Sequence, residues 1–254
     1  MKIFNFILNT IPRPILIRLS YIASPVMAFW LKGDRYTDPI DGKSFKKFLP
    51  YGYGEQRPNV LSPSTLSLER HRLLWLYLVN ETDFFSKEYK VLHMAPEQCF
   101  LSLFKNQKNL DYTTADLYSP IVDVKADILD LPFEDDSFDV VFCNHVLEHI
   151  EDDSKAISEL YRVMKTGGMG IFQIPQDLNL EKTYEDYNIT TPEERTKHFG
   201  QYDHVRIYGK DYFERLRKGG FIVKELDYSK TLSKEKVDKF RLAEGEILPV
   251  CFKK

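Results

Sequence analysis

With 254 residues, 43% of them hydrophobic and 29% charged, the chain can bury one sizeable core with a smaller appendage, which excludes a disordered tail and points to a soluble, globular, enzyme-sized protein. A formal charge of −3 supplies no overall attraction to nucleic acid. Cys99, Cys143 and Cys251 are scattered in apolar surroundings and read as reduced core residues of a cytoplasmic protein.

Residues 1–33 are apolar and aromatic, carry Lys2, Arg13, Arg18 and Lys32, and hold no acid. Prolines 12, 14 and 25 with two interior arginines break any membrane-spanning run, and no compact apolar core ends in a small-residue cleavage site. Two readings stand: a helical lid packed on the following domain, which the prolines favour, or a basic amphipathic segment over residues 1–32 lying on the inner face of a membrane.

Residues 34–65 repeat the layout of two zinc knuckles with every cysteine replaced. Asp38-Pro-Ile-Asp41-Gly and Ser62-Pro-Ser-Thr65 stand where Cys-Pro-x-Cys-Gly and Cys-Pro-x-Cys would be. Neutral hydroxyls cannot replace thiolates on zinc, so this reads as a degenerate, metal-free zinc-ribbon-like subdomain held by Tyr36, Phe45, Phe48, Tyr51 and Tyr53. Leu66–Phe85 predicts a strong helix capped by Thr65 or Ser67. Arg70, His71 and Arg72 oppose its dipole, and a salt bridge to the acidic stretch 134–153 is expected of them.

From Lys90 the pattern turns to strands. Residues 90–94 lead into a loop, and Tyr112–Asp116 reads as a second strand. Val122–Ala126 reads as a third, with too few residues between the two for a crossover helix. Phe138–Cys143 is a continuous apolar run bounded by turn residues, a buried parallel strand. Ala156, Leu160, Val163 and Met164 fall at helical spacing, Gly167 and Gly168 close that helix, and Gly170–Ile174 is the next strand. Residues 176–208 read as a substrate-side insertion, polar through Thr196, then dense in donors and acceptors from His198 to Gly209. Asp211–Lys218 predicts a helix, and Phe221–Tyr228 and Ile247–Phe252 the last two strands. His145-Val-Leu-Glu148-His149 also spells an inverse zinc-protease signature, but the helix it needs is interrupted at Glu151-Asp152-Asp153.

Asp127, Leu131-Pro132-Phe133, Phe138-Asp139, Val146-Leu147-Glu148-His149 and Lys165-Thr166-Gly167-Gly168 occur in the order and spacing of one family. The chain resembles the class I S-adenosylmethionine (SAM)-dependent methyltransferases, in particular the type 11 branch. The resemblance implies an α/β, Rossmann-like fold with a seven-stranded mixed sheet over residues 66–254, the last strands forming an antiparallel edge. It also implies SAM as cofactor. By that likeness His93 stands for the family's acid, and Ala95, Glu97 and Cys99 for its loop glycines, with Met94 alongside. Glu97 would meet the SAM ammonium, Asp116 beside Leu117 the ribose hydroxyls, and Asp127 the adenine amine with Ile128 on the ring face. Asn144 and His145 would line the pocket, while Glu148 and His149 would be structural hydrogen-bonders.

A methyl on a sulfonium leaves by in-line displacement, so the enzyme must mainly align a nucleophile and exclude water. On the acceptor side His204 is the expected base or orienting group, Tyr202 and Arg206 orient the substrate, and His145 is second choice. The acceptor is read as a small molecule, glycan or lipid-linked compound rather than nucleic acid. No metal is assigned. A non-catalytic SAM-fold binding protein is the alternative, because the glycine loop is altered.

Overall fold

A computed structural model describes residues 13–52 and 56–254. The chain packs as two units. One comprises residues 1–80 and 229–245, the other residues 81–228 and 246–254. This differs from the expected division at 33 and 65, since residues 66–80 and 229–245 go with the N-terminal unit. The N-terminal positions 1–12 and Tyr53 lie outside the described residues.

In the first unit, α1 (Arg13–Leu31) runs through Pro25 into a two-stranded ribbon of β1 (Lys32–Thr37) and β2 (Ser44–Phe45). A second ribbon pairs β3 (Leu49–Tyr51) with β4 (Arg57–Leu61). Ala28 and Leu31 pack against a small cluster of Tyr36, Phe45 and Phe48, whereas Leu19, Ile22, Val26, Phe29 and Trp30 are exposed. No helix among the described residues is long and apolar enough to cross a membrane.

Asp38, fully buried, organises the turn. Its Oδ1 accepts from the Ile40 amide at 2.9 Å, and its Oδ2 accepts from the Thr65 and Ser67 hydroxyls at 2.5 and 3.0 Å. Thr65 and Ser67 are thereby spent, and Leu66 sits at φ 59°, so the helix starts late, as α2 (Glu69–Glu81). The expected salt bridge for Arg72 gives way to a different solution. Its buried guanidinium donates to the carbonyls of Val60, Ser67, Phe240 and Arg241 at 2.7–3.0 Å, which supplies an acceptor for each edge of a charge that cannot be hydrated.

The second unit is a seven-stranded sheet in the order β12-β13-β9-β8-β5-β6-β7. Its parallel part consists of β5 (Tyr89–Met94), β6 (Leu110–Asp116), the two-residue β7 (Val124–Lys125), β8 (Phe138–Cys143) and β9 (Met164–Ile171). Between the strands lie α3 (Gln98–Lys105) and α4 (Asp153–Val163), and no helix joins β6 to β7. Beyond β9 come the short pair β10 (Tyr184–Glu185) and β11 (Arg206–Ile207), with α5 (Pro192–Phe199) between them. The chain then forms α6 (Tyr212–Lys218), β12 (Ile222–Leu226), α7 (Lys234–Lys239, in the first unit) and β13 (Leu248–Phe252). β13 runs antiparallel to both neighbours, the antiparallel edge expected from the resemblance.

The β8–α4–β9 unit departs from the sequence reading at one joint. Val163 ends the helix and Met164 already lies in β9, so the glycines expected to close the helix sit inside the strand, and β9 stops at Ile171 rather than Ile174. Gly167 at φ 78° supplies the local irregularity, a conformation that costs a glycine little. The core under the sheet joins Leu92, Val141, Leu147, Ile157, Leu160, Phe172, Tyr212, Leu216 and Phe221, and all three cysteines are buried and unpaired.

Candidate active site

In an open parallel sheet, ligands settle outside the carboxyl ends of the strands, where loops diverge and backbone amides are unpaired. Five strand ends deliver polar side chains there. His93, buried near the end of β5, sets its Nδ1 2.8 Å from the Tyr112 hydroxyl of β6 and its Nε2 2.6 Å from Glu97 Oε2. Asn144, following β8, donates to Glu97 Oε1 at 3.0 Å and accepts from the Gln173 amide, beyond β9, at 3.0 Å. Gln173 in turn accepts from the His145 amide at 2.7 Å. A continuous hydrogen-bonded chain, Tyr112–His93–Glu97–Asn144–Gln173, therefore ties four neighbouring strand ends together.

Ala95 occupies a left-handed position, φ 45°, with its amide held by Ala115 at 2.8 Å. The loop keeps a glycine-like backbone although glycine is absent. Glu97 is not idle: both of its oxygens already take a donor, and burial together with the Glu97 charge raises the Tyr112 hydroxyl pKa. A ligand ammonium at Glu97 would have to share lone pairs with His93 and Asn144. Met94 is buried in the core. Replacing Asn144 by Ala removes a donor and an acceptor from this chain at once. A loss of about 1–3 kcal/mol is expected, read as a Tm drop of several degrees in a thermal melt.

Asp116, at the end of β6, accepts the Tyr118 and Ser119 amides on Oδ1 at 2.7 and 2.6 Å, and Leu117 beside it is half-buried. Asp127 is exposed and accepts the Leu129 amide at 2.9 Å. Both carboxylates thus cap their own turns while standing at the rim. Ile128 differs from expectation. It is buried within the core, so its side chain packs under the sheet instead of covering a ligand ring.

On the acceptor side the structure gathers histidines. His145 sits at φ 55° with Nδ1 3.2 Å from Glu148 Oε1, and its Nε2 is buried without a partner. Glu148 is buried. Burial pushes its carboxyl pKa up, but the hydrogen bond from His145 and the charges of His145 and His149 outweigh this and hold it low. The His149 and His204 rings meet edge-on, 4.8 Å between centroids, and burial lowers the His204 pKa. Tyr202 is exposed, 55% of its surface open, and holds no fixed place in this group.

Arg206 is not available to a substrate. Its side chain is fully buried, donating from Nε to Glu185 at 2.9 Å, from Nη1 to the carbonyls of Leu147 (3.1 Å) and Ile150, and from Nη2 to that of Glu151 (2.8 Å). Tyr208, expected in the same polar run, is likewise internal, with its hydroxyl 2.8 Å from Asp153 Oδ2. Tyr112 carries no motif and was missed. The meeting of His149 with His204 was missed as well, since the two are distant in sequence and share no pattern.

Residues 85–172 match a family model described as "Methyltransferase domain". The chain belongs to this methyltransferase domain family. An uncharacterized protein of Methanocaldococcus jannaschii is 38% identical over 119 residues, 46% of this chain and 54% of that protein. A ubiquinone/menaquinone biosynthesis C-methyltransferase of Marinomonas is 37% identical over 68 residues, 26% of this chain and 27% of that protein. The chain thus spans about half or less of the length of these relatives. Among solved structures, the YcgJ protein from Bacillus subtilis is similar over 73% of this chain and 99% of its own, at 16% identity and a TM-score of 0.47. The methyltransferase domain match starts at residue 85, and the zinc-ribbon likeness of residues 34–65 finds no support: Asp38 and Asp41 belong to no cluster of metal-ligating groups among the described residues.

Proposed function

We propose that this protein is a SAM-dependent methyltransferase acting on a small-molecule acceptor. The observation that carries the reading is the succession of Glu97, Asp116, Asp127 and Asn144 on consecutive carboxyl-terminal strand ends of a methyltransferase-family sheet. In this reading Asp116 accepts from the ribose hydroxyls and Asp127 from the adenine amine. The loop 94–97 takes the methionine part, with Glu97 sharing its carboxylate. Since the sulfonium carries its own leaving group, this chain has to align and desolvate the acceptor, and His204 and His145 are the groups that orient it. Arg206 has no part in that step. The similarity to a protein named for ubiquinone/menaquinone biosynthesis supports including quinone precursors in an acceptor screen.

The test is calorimetry of the purified chain with SAM and with its demethylated product. The expected result is one site of micromolar affinity, Kd about 1–100 μM. No heat with either compound would overturn the reading. It would favour a non-catalytic protein, for which the side chains at positions 95, 97 and 99 and the double engagement of Glu97 already speak.

A further inference from the structure

One group of metal-ligating side chains occurs among the described residues: Glu148, His149 and His204 place one ligand atom each within 4.8 Å of one another. Three features distinguish it from a chance cluster. Glu148 is 1% exposed, and its Oε2 has no hydrogen-bond partner, an arrangement that costs about 1–3 kcal/mol if nothing else compensates it. The other oxygen is positioned by His145 Nδ1, so the orphan oxygen has a defined direction. Both imidazoles, finally, are engaged on one side only. His149 Nδ1 lies 3.2 Å from the Asp203 carbonyl and 3.5 Å from its carboxylate, and His204 has a main-chain hydrogen bond with Phe199. A ring nitrogen that donates to a carbonyl leaves the lone pair on the opposite nitrogen, the usual way a protein prepares a histidine for a metal.

We propose that Glu148, His149 and His204 bind a divalent transition-metal ion, Zn2+ or a neighbour in that series, on the acceptor side of the cleft. Two imidazoles and one carboxylate are a borderline donor set suited to such ions, and three protein ligands leave coordination positions open for a substrate oxygen or water. The site is not the inverse zinc-protease arrangement. His145 acts on the carboxylate rather than as a ligand, residues 147–149 form a single 3-10 turn, and the third ligand arrives from the segment before β11. Nothing in this inference depends on SAM, so the two readings fail separately.

The test uses the untagged full chain, stripped with chelator and dialysed, then titrated with Zn2+ by calorimetry and with Co2+ by visible absorption. Expected are one ion per chain, a Zn2+ Kd below about 1 μM, and cobalt bands of imidazole coordination. His204→Ala and the isosteric Glu148→Gln should each weaken Zn2+ binding by at least about tenfold. No saturable uptake by the unmodified chain would overturn the proposal, as would uptake that both variants leave unchanged. If either variant fails to fold by circular dichroism, the unmodified chain's stoichiometry and cobalt spectrum decide alone.

Discussion

Arg206→Ala is expected to destabilise the second unit by about 3–5 kcal/mol, the usual cost of removing one partner from a buried, fully bonded charge network. The guanidinium satisfies three main-chain carbonyls of residues 147–151 and Glu185, and Arg215 completes the knot, reaching Glu185 at 2.7 Å and Asp153 at 3.0 Å. Truncation leaves these acceptors buried with nothing to bind. Lysine is no substitute, because one ammonium cannot serve groups on both edges of a planar fork. Urea melts of the two variants check this, and a variant within about 1 kcal/mol of the parent would refute it. Acid should loosen the same knot. Burial pushes the Glu185 pKa up, but hydrogen bonds and charge from Arg215 and Arg206 hold it below the ordinary value. Its contribution is therefore present above about pH 4.3, the unfolded value, and is lost as pH falls through the lower folded value.

Asp116→Ala should raise the Kd for SAM by about a hundredfold. The Tyr118 and Ser119 amides fix the carboxylate through Oδ1, which leaves Oδ2 to meet two ribose hydroxyls. Charged hydrogen bonds of about 1.5–3 kcal/mol apiece, discounted for a partly wet rim, give that factor. Asp116→Asn retains the shape and loses the charge, and should fall between, near tenfold. Calorimetry is the measurement, with a thermal melt to show that the turn persists. An alanine variant that binds within about threefold of the parent would remove Asp116 from the site.

Much of the frame was legible from residue pattern. The buried run of β8, the missing helix after β6 and the terminal antiparallel strands follow from apolar period and segment length, both local properties. The errors share a different origin. Met164 carried on the helical spacing of α4 while belonging to β9, because a buried strand and a buried helix face look alike over a few residues. Thr65 and Ser67 look like helix caps, but Asp38, far back in the chain, claims their hydroxyls. The helix α5 did announce itself in Thr191-Pro192-Glu193-Glu194, where Thr191 accepts the Glu194 amide, and was passed over because the segment is polar. In the site, strand-end positions 116, 127 and 144 could be read from order alone. The burial of Arg206 and the pairing of His149 with His204 could not, since each is decided by which distant segment folds against it.

The residues that reveal the family are largely joinery. Arg162 donates to the carbonyls of Leu131 and Phe133 and pairs with Asp135 and Glu159, and Glu159 takes the Leu131 amide. Asp139 fastens the start of β5 through the Lys90 amide and the start of β9 through Lys165. A recognisable signature of this kind certifies a chassis, and the recognised stretch stops at residue 172, just short of the segment that carries Tyr202, His204 and Arg206. Two chains can therefore bear the same hallmark and alkylate unlike molecules, and relatives should be sorted by what they carry between 176 and 209.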